Sequence, residues 1–332
     1  MKTFFVHSVY ARWELVLMRG LFALVIWDAL PLTGLIQPDP SGTGSTVRKP
    51  EWRVHYDTTP KPTGLAISNA EWVTSIATPA ARSSWFAAVI VLLLMGYALG
   101  AAPIVFTPPL LALTVLYGTL NNSQGAITHH LQVVSLALLA QTAYLIWELV
   151  RRRKWRTGWL GNPADREGRI VWVTQQAVVA TYVVSALTKL KESGFGWFVD
   201  AARFPIQLKK NNQMAYYNHL KAPNEADGYW ASLPAKIEVL FLESPNLCRV
   251  VIGSGLVLEL VAVLALVGRR WALAVGAVLV AFHLSISAVM SLDFRFNIYL
   301  LLIFFVLPGI TAFLARWSIR ATQRGKTEAK VR

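Results

Sequence analysis

Apolar residues run along this chain in blocks of about 16–23, close to the roughly 20 that a helix needs to cross a bilayer core. The blocks cover 15–36, 85–100, 103–120, 127–149, 170–189, 248–267, 271–290 and 296–315. Polar residues collect in two long stretches, 37–84 and 190–247, and in short connections elsewhere. The pattern predicts an all-α integral membrane protein of about eight transmembrane helices with two sizeable extracytoplasmic loops. Pro108-Pro109 is expected to kink the third span. The predicted organisation is a single membrane domain over 1–318, followed by a basic tail over 319–332.

The fifth block departs from uniform apolarity in a regular way. Gln175, Tyr182 and Lys189 recur every seven residues, and Ser185 lies four before the lysine. Those intervals put a polar stripe on one helical face, with an ammonium at its far end. Such a stripe is costly against lipid, so it faces a protein interior, a watery cavity or the interface. Glu259, about eleven residues into the sixth block, makes a similar demand. A mid-membrane carboxylate is either protonated or paired, and Arg19 and Lys189 are the candidate partners. Arg19 and Asp28 stand nine apart in the first block, too far to meet along one helix, so each needs a partner elsewhere.

Composition supports the membrane reading. Mean hydropathy is +0.44, with 55% of residues hydrophobic and only 15% charged. The net charge of +14 would point a soluble chain toward nucleic acid, so its placement decides what it means. Arg151, Arg152, Arg153, Lys154, Arg156, Arg166 and Arg169 follow span four, Arg269-Arg270 follow span six, and Arg316, Arg320, Arg324, Lys326, Lys330 and Arg332 fill the tail. With a cytoplasmic N-terminus, eight spans put all three groups on the cytoplasmic side, along with the C-terminus. The basic excess is then topological; the expected partner is the lipid bilayer and not nucleic acid. The lone Cys248 excludes an intramolecular disulfide and a cysteine metal site. The first block carries Arg19 and Asp28 and is too long for a signal peptide, so it reads as a retained span.

This topology gathers polar side chains at the outer end of the bundle. Span three ends there at Asn121-Asn122, span four begins with His129-His130, and span five arrives at Lys189. Span seven runs outward through His283, Ser287 and Ser291. Within the second loop, 195–208 and 235–242 are amphipathic enough to lie on the outer surface and cover the mouth above Lys189.

The run from Tyr182 to Leu190, YVVSALTKL, followed by Gly196-Trp197, resembles a segment of the vitamin K-dependent gamma-carboxylases and of the bacterial horizontally transferred transmembrane (HTTM) proteins. Arg19 and Trp27-Asp28, Glu259, and His283 followed by Phe294 and Phe296 add to the resemblance. It implies a membrane enzyme, a carboxylase-like lyase and quinol epoxidase, in a bacterial inner membrane. Its cofactor would be a reduced naphthoquinone of the vitamin K type, and its partner a secreted peptide or protein at the outer face. Lys189 would be the base that deprotonates the quinol, a step that needs its neutral form, which desolvation at an apolar helix end promotes. His129 and His130 would be further catalytic candidates. Asn121, Asn122, Tyr182, Ser185, Trp197, His283 and Glu259 would line the substrate site. The chain stops soon after span eight, without the large lumenal portion of the eukaryotic carboxylase, which turns the expectation from a propeptide-directed glutamate carboxylase toward a related activity or none.

Plainer readings stand beside these. Lys189 also suits a topology anchor that snorkels to the interface. His129 and His130 suit polar caps at a helix start; as adjacent residues they point to different faces, and no nearby Asp, Glu or Cys completes a metal set, so no metal is expected. A non-catalytic protein assisting maturation of a secreted peptide and a proton-linked transporter using Glu259 and His283 are the alternative functions.

Overall fold

The computed structural model describes residues 10–30, 84–122, 131–152, 163–194, 196–210, 233–290 and 292–315. All regular structure among them is helical. The described residues divide into two compact units, 10–178 and 179–315.

The first unit contains α1 (Arg12–Ala29), α2 (Ser84–Leu99), α3 (Pro103–Asn122), α4 (Gln132–Arg152) and the first half of α5 (Pro163–Ser193). Glu14 starts α1, its carboxylate accepting from the Ala11 N–H at 2.7 Å. The Arg19 guanidinium forms an ion pair with Glu167 and donates from Nε to the Ala98 carbonyl at 3.3 Å. Arg19 thus has the partner its place in an apolar block demands. Its guanidinium lies against Gly100, whose φ of +67° and lack of a side chain allow both the turn and the close approach. A buried chain of neutral hydrogen bonds ties three helices: Tyr97 Oη donates to Gln141 at 2.9 Å, and Gln141 Nε2 donates to Thr174 Oγ1 at 3.0 Å. Such bonds hold helices together where lipid offers no hydrophobic drive.

The second unit holds the rest of α5, a short helix α6 (Gly196–Val199) running through a 3-10 turn (Asp200–Arg203) and on helically to 210, then α7 (Leu233–Glu243), α8 (Pro245–Val261, prolonged by the 3-10 turn Ala262–Leu266), α9 (Arg269–Met290) and α10 (Arg295–Leu301). After α10 the chain passes through a π turn, Leu302–Val306, and stays helical to 315. Pro308 accounts for that turn, because it has no N–H for the carbonyl one turn earlier. Its own carbonyl accepts from Arg269 Nε at 2.8 Å.

Among the described residues, five helices are long and apolar enough to cross a membrane: Gln132–Arg151, Arg166–Ser193, Pro245–Leu266, Arg269–Met290 and Arg295–Ala315. Two more apolar helices, Trp85–Leu99 and Pro103–Gly118, are shorter. Residues 20–27 of α1 are apolar, but Arg12, Glu14, Arg19 and Asp28 lower the hydropathy of the helix as a whole. Many apolar side chains face outward along these helices, among them Leu92, Val150, Leu187, Val250, Leu284 and Phe313, as contact with lipid chains requires.

Several boundaries differ from those expected. α5 extends past Lys189 to Ser193 and stops at Gly194, whose N–H donates to the Leu190 carbonyl at 2.8 Å with φ +53°. Lys189 is therefore inside a helix rather than at its end. α8 begins at Pro245, because proline suits a first helical position. α3 is helical through Pro108 and Pro109. The stretch read as loop 190–247 carries α6 and α7, close to the amphipathic segments expected there.

Candidate functional site

α5 brings Lys189 to the wall of a cavity of about 700 Å³ within the second unit. Opposite it, α8 supplies Glu259. Lys189 Nζ donates to both carboxylate oxygens, at 2.6 and 2.7 Å. The glutamate side chain is only 10% exposed and the lysine 27%. Of the two candidate partners for Glu259, the structure pairs it with Lys189, while Arg19 is taken by Glu167. A buried carboxylate and a partly buried ammonium in one cavity cost desolvation, which this two-point contact offsets.

The short helix α6 forms part of the cover. Trp197 lies with its ring centroid 5.0 Å from Lys189 Nζ, a cation–π distance. Phe198, the next residue, seats its ring on Gly253 of α8, where a Cβ would meet Cε1 at 2.5 Å. Glycine at 253 thus allows α6 to dock. Cys248 donates from Sγ to the Ala201 carbonyl at 3.0 Å and fastens the following turn to the same helix. Ile237 and Phe241 of α7 complete this side of the wall.

α9 contributes His283, which is 4% exposed. Its ring lies among Tyr182, Phe282 and Phe294, at centroid distances of 5.6, 5.6 and 4.7 Å. His283 Nε2 and the Tyr182 hydroxyl are 2.7 Å apart. Nδ1 is buried with no hydrogen-bond partner among the described residues, as is Trp197 Nε1. Buried polar atoms are seldom left so.

The residues singled out in sequence distribute as follows. Lys189, Glu259, Trp197 and His283 line one cavity, with Tyr182 bonded to His283 behind the wall. Ser185 is half-buried on the same helix, and Gln175 is buried in the first unit. Asn121 and Asn122 close α3 in the first unit, and His129 and His130 lie outside the described residues. Sequence reasoning passed over Phe198 with its seat at Gly253, the aromatic wall from Phe204, Phe241 and Phe282, and Asn297, a side-chain hydrogen-bond partner of Tyr182. An asparagine in the first turn of an apolar helix was the one signal available for the last of these.

Among the described residues the chain is all-helical, with apolar helices suited to a lipid bilayer and a charge pair in the wall of a largely apolar cavity, the marks of a membrane-associated protein. No family model, curated protein or solved structure matches the chain.

Proposed function

We propose that this chain is an integral membrane enzyme of the gamma-carboxylase-like kind, in which the Lys189–Glu259 pair takes a proton from a reduced, lipid-soluble quinone. The observation that carries the reading is the two-point ion pair in the wall of a largely apolar, aromatic cavity. The cavity residues fit a flat apolar ring: phenyl groups offer its faces a dry surface, and the Lys189–Glu259 pair offers charge to a polar atom at its edge. A reduced naphthoquinone supplies a weakly acidic hydroxyl and, once that hydroxyl is deprotonated, a ring ready for oxidation.

The pair acts as one unit. A lysine bound to a carboxylate accepts a proton only after its own has passed to Glu259. The net change is the same by either order: one proton arrives, Glu259 becomes a neutral acid, and the Lys189 ammonium remains to face the negative oxygen. The apolar wall excludes water and strengthens that attraction.

Eight spans, with α1, α2 and α3 as the first three and both termini in the cytoplasm of a bacterial inner membrane, complete the proposal. Arg19 paired with Glu167 supports α1 as a span despite its charge. Purified protein in nanodiscs, given an anaerobically reduced prenylated naphthoquinone and then oxygen, should consume the quinol faster than empty nanodiscs. Lys189→Ala and Glu259→Gln should each lower the rate by about 100-fold, within the range for loss of a general base. Unchanged rates in both would sink the proposal.

A further inference from the structure

Gly255 of α8 and Phe282 of α9 mark where these consecutive, antiparallel helices face each other, since a Cβ at 255 would stand 3.1 Å from the Phe282 ring. Each residue turns a helix by about 100°. From that contact, Ile252 and Glu259 of α8 and His283 and Ile286 of α9 lie to one side, while Val251 and Ser285 lie to the other. All six line the cavity. The cavity therefore does not stop at the helix pair; one turn beyond the Gly255–Phe282 contact it passes between the two helices. There Val251 and Ser285 are exposed, beside the outward-facing Val250 and Leu284. Toward the helix ends at 245 and 290 the opening is closed again, because the buried Leu208, Phe241 and Cys248 pack with Ile252, Val289 and Met290. The result is a window in the side of the helix pair, set about 8 Å in from Pro245 and Met290 along the helices that carry it.

The frame of the window is hydrocarbon. Ser285 spends its hydroxyl on its own helix, donating to the Ala281 carbonyl at 2.8 Å, and Ser254 on the neighbouring face does the same to the Val251 carbonyl at 2.7 Å. What remains at the opening is Val251, Ile252, Phe282, Ile286 and Val289, which give a water molecule nothing to bond and give a methylene chain close contact. The polar members of the same cavity, Lys189, Glu259, Ser193 and Asp200, stand on other helices or deeper along α8. Both helices of the frame are long and apolar enough to span, so a side opening this far along them meets lipid chains. We infer that the window is a lateral port for a single-chain amphiphile, whose polar end sits by Lys189 and Glu259 while its hydrocarbon chain lies between Val251 and Ser285 and runs out into the bilayer. This port goes beyond the quinol reading and stands without it, since any chain-bearing amphiphile meets the same frame.

The probe is hexadecanol carrying a diazirine at mid-chain. The full chain in nanodiscs is irradiated with it, and the labelled residues are mapped by mass spectrometry. Val250 and Leu284 face outward and should be labelled by any chain in the bilayer, so they serve as the internal control. Ile252, Ile286 and Val289 face inward and should be labelled in wild type only because a chain passes the window. Val251→Trp and Ser285→Trp, made separately, narrow the frame from its exposed rim. Each should lose the inward labelling and keep the outward labelling. Label confined to Val250 and Leu284 in wild type overturns the port, as does inward labelling that survives unchanged in both tryptophan variants. Should one variant fail to fold, the other decides by the same criterion. Quinol turnover is read apart from this: inward labelling without turnover overturns the quinol reading alone, and turnover with only the outward residues labelled overturns the port alone.

Discussion

Lys189 and Glu259, seventy residues apart in the chain, meet through both carboxylate oxygens at 2.6 and 2.7 Å. Their attraction is set against the desolvation of both groups, so losing one partner is worse than losing both. Glu259→Gln is expected to destabilise the protein by about 3 kcal/mol, the lower end of the range for buried pairs because Lys189 is partly exposed. Lys189→Met with Glu259→Leu should return near wild-type stability, read by unfolding in detergent. Quinol turnover should stay lost in that double variant, and its recovery would show that the pair only holds helices together.

The seat of Phe198 on Gly253 makes a second test. A valine at 253 has no room, since even a Cβ would stand 2.5 Å from the ring. Gly253→Val should push α6 off α8, loosen Trp197 from Lys189 and slow quinol consumption by about tenfold, with about 1–3 kcal/mol of stability lost to overpacking. Adding Phe198→Ala clears the space and should regain part of the stability. The comparison is made by thermal unfolding alongside quinol turnover.

In the first unit, Gln141 serves two neighbours and is 1% exposed. Gln141→Leu leaves the Tyr97 hydroxyl without this acceptor, while Thr174 keeps its bond to the Ile170 carbonyl at 2.8 Å. A loss of about 1 kcal/mol is expected, the scale of hydrogen bonds between membrane helices. Steric trap or denaturant unfolding would measure it, and a neutral result would mean that these helices are held by packing alone.

Gly100 combines a left-handed backbone with the Arg19 guanidinium packed against it. Gly100→Ala is expected to cost at least the roughly 1–2 kcal/mol of placing a Cβ in that conformation. Arg19 must also move, so its hold on the Ala98 carbonyl weakens. Arg19→Met in the same background tests this: with the guanidinium gone, the further cost of Gly100→Ala should fall toward the backbone term alone.

Much of the helical plan was legible in sequence because helix length and period are local properties. Five of the expected blocks correspond to helices long and apolar enough to span, and the polar stripe of α5 showed that Lys189 needed company. Its partner was approached only from the other side, since Glu259 had Arg19 and Lys189 as candidates by charge and not by contact. Helix ends were read less well. α5 runs four residues past Lys189 because Gly194 stops it, and α8 starts early because Pro245 can open a helix.

The sequence by itself determined that this chain is helical, apolar and costly to bury at Lys189, Glu259 and Arg19, because those statements need only composition and spacing. Tertiary structure alone decided that Glu259 answers Lys189 while Glu167 answers Arg19, and that His283 turns one nitrogen to Tyr182 and leaves the other without a hydrogen-bond partner among the described residues. Such pairings depend on which helix faces brought together by packing happen to be complementary. No local period along the chain encodes a contact between residues seventy or a hundred positions apart.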